Sequence, residues 1–464
     1  MAQSSHKPSL AEALKAAQDT RALEIGRNVL HQTPDVFRQQ FGPRPAVVVA
    51  DANTFAAAGR VVFDAFRRVG HLCREPFIYS DPNLYAEHGY VAQLEDSLKA
   101  HNAIPVAVGA GTINDITKFA AHRADRPYLC VATAASMDGY TAFGASITHE
   151  GSKQTFHCPA PAAVVADLDV IRAAPGDMNA WGYADLLAKV TAGADWLLAY
   201  ALGVEPIHPQ AWCIAQGRLR ELVADPEGVR ARRPEAIERL VEGLMLGGFA
   251  MQAARSSRAA SGAEHQFSHL WDMVHHTYQG RTTPHGLKVG IGTLAVTALY
   301  EFILTQPLED LDVEVCCAQW PGQASREEML QKLFDDPALA RVARIETNAK
   351  SVDGAALRAQ LEKLRNLWPE LRERLRQQLL PLAQLKAMLQ AAGAPVEPEQ
   401  IGISRARLRE SFWQASFIRR RFTVLDLALR AGLLDRALEQ IFGPGGQWPV
   451  GTAVAPEHSE PARR

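Results

Sequence analysis

The sequence predicts a parallel α/β domain followed by an all-helical domain. Residues 1–175 alternate short apolar, β-rich runs with helical runs, a pattern typical of a doubly wound parallel sheet. In residues 176–445 the apolar positions recur almost entirely at helical spacing. At 464 residues, 47% of them hydrophobic, the chain is long enough for two or three domains. The last residues, 446–464, are rich in Gly and Pro and are expected to be disordered.

The strands of the first domain are predicted from runs that are nearly all apolar, as expected when both faces of a sheet are covered. In order, these runs are AVVVADANT, EPFIYS, IPVAVGAGT, PYLCVATAAS and CPAPAAVVADLDVI. Helices are predicted after the first and third runs, in FAAAGRVVFDAFRRVG and INDITKFAAHRA. In the second domain, charged runs such as LRERLRQQ and FIRRRF are interpreted as solvated helix faces.

Charge and composition exclude several classes of protein. The formal net charge of −2 argues against general affinity for nucleic acid or an acidic membrane surface. The first 25 residues contain no apolar signal segment, and no long uncharged stretch predicts a membrane span. The six cysteines show no metal-type spacing and are interpreted as reduced thiols. We therefore expect a cytoplasmic protein.

A glycine pair follows the apolar run IPVAV. Gly109 and Gly111 stand where a strand turns into a helix, and backbone N–H groups at such a turn favour an anion. Thr112 and Asn114 could add side-chain donors to a phosphate. The alternative is a tight turn without a ligand. The loop lacks the third glycine of the common dinucleotide fingerprint, so it is not that motif.

Asp51 ends the strand AVVVA. A carboxylate at this position can accept hydrogen bonds from a ribose hydroxyl pair, and it would repel a 2′-phosphate, which favours NAD over NADP. The alternative is an ordinary turn aspartate.

The sequence contains candidates for the three ligands of a metal site. His265 and His269 are four residues apart, on one helix face, but no glutamate directly follows the first, which excludes a zinc-protease motif. His285 lies in a Pro-His-Gly turn, and Asp185 could supply an anionic ligand. Three protein ligands with one open position are typical of a catalytic metal site. The alternatives are that Asp185 pairs with Lys189 and that His269 is a buried hydrogen-bonding residue.

The segment VATAASMDGYTAFGAS is full of small residues. Ser136 and Asp138 lie in a turn where the backbone could approach a ring, and Thr133 could contact the phosphate or ribose of a cofactor. The alternative is a plain loop with an Asp-Gly turn.

Together these segments resemble one family. ADANTFAAAG, GAGTINDITKFAA, TAASMDGYTAFGAS, GYADLLAKVTAGADW, SGAEHQFSHLWD and PHGLKVGIG are similar to the glycerol-1-phosphate dehydrogenase branch of the iron-containing alcohol dehydrogenase and dehydroquinate synthase-like superfamily. The resemblance runs in order over roughly residues 20–435. Its late segment IGISRARLRESFWQASFIRRRFTVLDLA resembles the bacterial long form. Ala110 departs from the family, which often has a third glycine there, and so does Leu287, where acidic or polar residues also occur.

The resemblance implies a Rossmann-like first domain and a dehydroquinate synthase-like helical domain, with the active site in the cleft between them. It places the metal on Asp185, His265 and His285. It assigns the cofactor to Asp51, Gly109, Gly111, Thr112, Asn114, Asp115, Thr133 and Ser136. It gives Asp138 and His269 catalytic positions, the first near the substrate hydroxyls and the second lining the substrate pocket.

The implied activity is the reversible, metal-dependent reduction of dihydroxyacetone phosphate to sn-glycerol 1-phosphate. The cofactor is expected to be NAD, with NADP also possible, and the metal is zinc or nickel, with iron also possible. We expect a phosphorylated small-molecule substrate, no nucleic acid, and a homo-oligomer of two or more chains. The alternatives are a polyol or alcohol dehydrogenase, a dehydroquinate synthase-like cyclase, and a non-catalytic nucleotide-binding protein. The cyclase usually ligates its metal with glutamate, whereas Asp185 is an aspartate.

Overall fold

The computed structural model describes residues 7–149 and 152–450. Six parallel strands form the main sheet, in the spatial order β1-β8-β5-β4-β2-β3. They are β1 Ala22–Gly26, β2 Ala46–Asp51, β3 Cys73–Tyr79, β4 Ile104–Gly109, β5 Leu129–Ala132 and β8 Ala163–Asp167. Two antiparallel hairpins complete the strands: β6 Ala145–His149 with β7 Ser152–Phe156, and β9 Thr277–Tyr278 with β10 Arg281–Thr282.

Helices cover both faces of the main sheet. They are α1 Leu10–Ala16, α2 Thr33–Phe41, α3 Ala52–Thr54, α4 Arg60–Arg68, α5 His88–Lys99, α6 Gly111–Arg123 and α7 Leu168–Ala173, with a π-helical turn at Phe55–Gly59. Successive residues of β4 pack on opposite sides, Val106 and Val108 against one core and Ala107 against the other. This two-sided burial confirms the predicted parallel α/β class.

The rest of the described chain is helical apart from the β9–β10 hairpin. Its first helices are α8 Gly176–Leu187, α9 Lys189–Ala201, α10 Pro209–Gln216, α11 Leu219–Leu222, α12 Pro226–Arg230, α13 Pro234–Ala254, α14 Ala263–Met273 and α15 His285–Thr305. They are followed by α16 Val313–Gln319, α17 Gln323–Leu333, α18 Pro337–Lys350, α19 Gly354–Gln378, α20 Leu382–Ala392, α21 Arg405–Phe417, α22 Val424–Arg430 and α23 Leu434–Phe442.

Two strand regions differ from the prediction. β1 lies at the edge of the sheet and all five of its residues are half-buried, so its sequence lacks the long apolar run of the central strands. The β6–β7 hairpin follows the SMDGY segment, residues 136–140, and its two strands pair with each other outside the main sheet. The start of the tail that is expected to be disordered, 446–464, is packed against the rest of the protein. Trp448 is fully buried and its indole donates to Glu397 at 3.0 Å. The remainder of that tail, 451–464, lies outside the described residues.

Within the described chain, α15 alone is long and apolar enough to cross a membrane. Its most apolar window is 83% buried against other parts of the protein. A core helix has the same composition, so this helix is weak evidence for a membrane span.

α15 crosses α8 at very short range. A Cβ atom on Gly286 would lie 2.0 Å from the carbonyl oxygen of Trp181, and one on Gly290 would lie 3.1 Å from Ala184 Cβ. This close approach brings His285, the first residue of α15, next to Asp185, which is one turn beyond Trp181 on α8.

We expect Gly286→Ala to lower the free energy of unfolding by about 2–3 kcal/mol, because the new methyl overlaps a backbone carbonyl that cannot easily move. Urea denaturation measures the loss. Gly354→Ala is the matched control, since nothing lies within 4 Å of its Cβ at the exposed start of α19. Equal stability of the two variants would contradict the close contact.

Candidate active site

A cleft of about 1440 Å³ lies where the carboxyl end of β4 faces the helical part of the chain. Nine of the residues singled out from the sequence, or from its resemblance, line this cleft: Ala110, Gly111, Thr112, Asp115, Ser136, Asp138, His265, His269 and His285. The predicted nucleotide loop and two of the predicted metal ligands therefore share one cavity.

Asp185, His265 and His285 converge. Each offers one ligand atom, and these atoms all lie within 4.8 Å of one another. Asp185 is on α8, His265 is in the first turn of α14, and His285 begins α15 after Pro284. His265 Nε2 is 3.6 Å from Asp185 Oδ1. The segments that carry them are far apart in sequence and meet because α14 and α8 both pack on α15.

Hydrogen bonds fix the orientation of both imidazoles. His265 Nδ1 is 2.8 Å from Glu264 Oε1, and His285 Nδ1 is 3.2 Å from Ser268 Oγ. With Nδ1 occupied, Nε2 of each ring is the atom suited to ligate a metal. Neither Glu264 nor Ser268 was predicted from the sequence, although Glu264 directly precedes His265.

The donor set fits a divalent cation. Among the described residues, none donates a hydrogen bond to the fully buried Asp185 Oδ1. Burial raises the pKa of Asp185, but Lys189, His265 and His285 lower it well below its usual range. Burial likewise opposes the charge on His265, yet Asp185 and Glu264 raise its pKa to about 9. The lowered pKa keeps Asp185 ionised, and one carboxylate with two imidazoles is a donor set typical of zinc, nickel or iron.

Lys189 connects the metal cluster to Asp138. Its buried ammonium lies 2.8 Å from Asp138 Oδ2 and 3.6 Å from Asp185 Oδ1. The backbone N–H of Asp138 donates to Asp185 Oδ2 at 3.0 Å. Burial, followed by the charge of Asp185, raises the pKa of Asp138, while Lys189 opposes that rise. The pairing of Asp185 with Lys189, which the sequence analysis gave as an alternative, is therefore present. It does not exclude a metal site, because Asp185 also lies within reach of both histidines.

The glycine loop joins β4 to α6. A Cβ on Gly109 would lie 2.5 Å from Ile113 Cβ, so the tight turn requires glycine there. On Gly111 a Cβ would meet only the flexible end of Met137, at 3.0 Å. Among the described residues no side chain caps α6. The N–H groups of its first turn are therefore available to an anion.

The other predicted cofactor residues differ in their surroundings. Asn114 is buried, donating to the Gly139 carbonyl at 3.2 Å and accepting from Tyr128 Oη at 3.1 Å. Its side chain holds the SMDGY loop, so the expected role as a direct phosphate donor does not fit. Asp115 lines the cleft and also holds this region, because its Oδ2 accepts from Ser146 N at 3.2 Å.

Three predicted cofactor residues lie along the strand ends. Thr133 is buried after β5 and its N–H donates to the Gly109 carbonyl at 3.2 Å. Ser136 Oγ is 3.3 Å from Tyr140 Oη. Asp51 caps α3, its Oδ1 accepting from the N–H groups of residues 53 and 54 at 2.8 and 2.9 Å. Capping is the role expected of a turn aspartate, and it leaves Oδ2 available for a second partner.

The run FIRRRF is not a helix face. Arg419, Arg420 and Arg421 lie in the connection between α21 and α22, and all three line the cleft. The interpretation of this run as a solvated helix face is wrong, because α21 ends at Phe417 and the chain turns toward the cavity. No spacing in the sequence separates these arginines from ordinary surface charges.

Buried Asp195 organises the helices around the site. Its carboxylate accepts from Ala263 N at 2.7 Å, from Tyr300 Oη at 2.6 Å and from Val424 N at 2.8 Å. These bonds tie the start of α14 to α15 and to the start of α22. His269 lies one turn beyond His265, with its ring centroid 6.3 Å from that of His265 and 6.4 Å from that of His285.

The parallel α/β sheet with its glycine loop faces helices that carry the Asp-His-His cluster, and this combination can be compared with known proteins. The family model for iron-containing alcohol dehydrogenases matches residues 24–175. A probable glycerol dehydrogenase from Sinorhizobium meliloti has a similar fold, with a TM-score of 0.57 at 16% identity, covering 91% of this chain and 98% of its own. Glycerol dehydrogenase from Schizosaccharomyces pombe has a TM-score of 0.56 at 16% identity, covering 90% of each chain.

Relatives that are similar in sequence identify the family of this chain. Glycerol-1-phosphate dehydrogenase [NAD(P)+] of Halalkalibacterium halodurans is 33% identical over 73% of this chain and 84% of its own. The protein of the same name from Geobacillus thermodenitrificans is 32% identical over 82% of this chain and 86% of its own. The chain therefore belongs to the glycerol-1-phosphate dehydrogenase family, within the iron-containing alcohol dehydrogenases.

Proposed function

We propose that this protein reversibly reduces dihydroxyacetone phosphate to sn-glycerol 1-phosphate with NADH or NADPH, in the cleft beside Asp185, His265 and His285. The main supporting observation is that the ligand atoms of these residues lie within 4.8 Å of one another. Two of the three residues, His265 and His285, also line the cavity that contains the glycine loop. The names of the relatives support the substrate and the cofactor class.

A metal held by these three side chains would supply Lewis acidity toward the C2 oxygen of the substrate. Nicotinamide supplies the hydride when the cofactor is bound. We propose zinc or nickel as the metal, with iron as the remaining candidate. Glu264 and Ser268 keep the two imidazoles oriented, and the first turn of α6 binds the pyrophosphate through its N–H groups.

Asp138 and His269 are the proposed catalytic residues. Both line the cleft, and Asp138 is held in place by Lys189 and by its own N–H bond to Asp185. Asp138 would contact a substrate hydroxyl, and its raised pKa suits a group that passes a proton to the C2 oxygen as the ketone is reduced. His269 would line the substrate pocket from α14, the helix that also carries His265.

The test is a substrate panel. Metal-stripped protein is reloaded with Zn²⁺ or Ni²⁺ and assayed by NADH and NADPH absorbance with dihydroxyacetone phosphate, dihydroxyacetone and glyceraldehyde. We expect net oxidation of the nicotinamide with the phosphorylated ketone, at a kcat/KM well above that for dihydroxyacetone. Preference for the unphosphorylated ketone would instead assign a polyol dehydrogenase, and no turnover of any ketone would contradict the proposal.

Asp51 is the proposed residue at the adenosine ribose. We expect Asp51→Asn to raise the ratio of kcat/KM for NADPH over that for NADH by about 10-fold, because a nearby negative charge on the 2′-phosphate is no longer repelled. Asparagine can still cap α3 through its amide oxygen, so the fold is preserved. Steady-state kinetics with both cofactors measure the ratio. An unchanged ratio would remove Asp51 from the cofactor site.

A further inference from the structure

In the arginine loop, residues 419–421, two of the three guanidinium groups form hydrogen bonds with other described residues and the third does not. Arg420 forms a two-pronged ion pair with Glu346, at 3.0 Å from Nε and 2.7 Å from Nη2. Arg421 donates to the Ser261 carbonyl at 2.6 Å and to Ser257 Oγ at 2.7 Å. For Arg419, in contrast, no hydrogen bond or ion pair is present among the described residues, although its Nε is buried.

Two acidic residues close to this loop, Glu346 in space and Asp426 in sequence, already have cationic partners. Glu346 is held by Arg420, and Asp426 lies 2.7 Å from the Lys350 ammonium. The Arg419 side chain is half-buried, and the carboxylate whose charge acts on it, Glu346, is already paired with Arg420. Partial loss of water without a hydrogen-bonded anion is unfavourable for a guanidinium. Burial accordingly lowers the pKa of Arg419. A guanidinium that lines a cleft, with a buried Nε and no hydrogen bond to the described residues, is suited to bind an anionic ligand.

The loop belongs to the helical wall that carries the metal ligands. Arg421 is anchored to Ser257 and Ser261, just before α14, and its carbonyl accepts from Gln266 Nε2 at 3.3 Å. Gln266 is the neighbour of His265. The glycine loop that would hold the cofactor phosphates lies instead at the end of β4. An anion at Arg419 is therefore on the substrate side of the cleft.

We propose that Arg419 binds the phosphate group of the substrate and so selects phosphorylated over unphosphorylated ketones. The inference rests on the proposed function for the identity of the substrate. A guanidinium presents parallel N–H groups that match two oxygens of a phosphate monoester. Arg421, which is fixed by its two hydrogen bonds, positions the loop that carries Arg419.

The test compares Arg419→Gln with Arg409→Gln, an exposed arginine on α21 that lies outside the cleft. We expect Arg419→Gln to lower kcat/KM for dihydroxyacetone phosphate by about 10- to 100-fold, mainly through KM, the loss typical of a charge-assisted contact. Turnover of dihydroxyacetone and the KM for NADH stay within about 2-fold of wild type. Arg419→Lys recovers part of the loss, and Arg409→Gln shows none.

Two results would overturn the assignment. One is an equal loss with the phosphorylated and the unphosphorylated ketone. The other is a raised KM for NADPH alone, which would assign Arg419 to the 2′-phosphate of the cofactor. The melting temperature of Arg419→Gln should not fall, because the substitution removes no hydrogen bond to the described residues.

A binding measurement separates this inference from the proposed function. Inorganic phosphate is titrated calorimetrically into wild type, Arg419→Gln and Arg409→Gln. If the wild type reduces no phosphorylated ketone, the proposed function fails, yet weaker phosphate binding by Arg419→Gln alone still supports the subsite. Equal phosphate binding by all three proteins overturns it.

Discussion

Replacing His265 with alanine is expected to abolish metal retention and to lower kcat by at least about 10³-fold, because Lewis-acid stabilisation of the developing charge contributes several kcal/mol. The imidazole of His265 lies close to both other ligands. Its Nε2 is 3.6 Å from Asp185 Oδ1, and its ring centroid is 5.3 Å from that of His285. Two remaining ligands bind a divalent ion much more weakly than three. The fold should persist, since Asp185 keeps its contact with Lys189.

Metal content by mass spectrometry and turnover with dihydroxyacetone phosphate measure these two effects. His122→Ala is the control, because His122 is exposed at the end of α6 and does not line the cleft. Its metal content and rate should equal those of the wild type. Full turnover by metal-stripped His265→Ala would show that the site assignment is wrong.

Replacing Lys189 with methionine is expected to lower the free energy of unfolding of the metal-free protein by about 3–5 kcal/mol. The ammonium is buried between Asp138 and Asp185, and an apolar side chain of similar length leaves both carboxylates without their shared cation. We also expect a fall in kcat, because Lys189 positions Asp138, while the KM for NADH stays unchanged.

A double-mutant cycle isolates this pair. Asp138→Asn in the Lys189→Met background should recover part of the lost stability, because one uncompensated charge is removed. Lys332→Met is the control: Lys332 is an exposed cation paired with Glu328, so its loss should change stability by under about 1 kcal/mol. If Lys189→Met were as stable as that control, the buried ion pair would not hold Asp138 in place.

The central strands can be predicted from the sequence because burial on two faces requires a run of apolar residues, as in the fully buried β4 and β5. The edge strand β1 has no such apolar run, since its residues are only half-buried. Residue type and spacing also suggest the metal ligands. What brings them together is the contact of Gly286 with the backbone at Trp181, and a glycine in a sequence does not reveal which backbone it touches.

The residues that the sequence did not reveal act through contacts between distant segments. The sequence indicates Lys189 only as a helical partner of Asp185, whereas its shorter contact is to Asp138, in a loop before β6. The arginines at 419–421 resemble surface charges until the chain is folded. In each case the missing information is a long-range contact, which local periodicity does not encode.

The central claim is that Asp185, His265 and His285 hold one divalent ion in the cleft. Anomalous diffraction from crystals grown with Ni²⁺ or Zn²⁺, recorded on either side of the metal absorption edge, tests it directly. We expect a single strong peak about 2.1 Å from Asp185 Oδ1 and from the Nε2 atoms of both histidines. A peak bound by other side chains, or none at this cluster with metal in excess, would contradict the account.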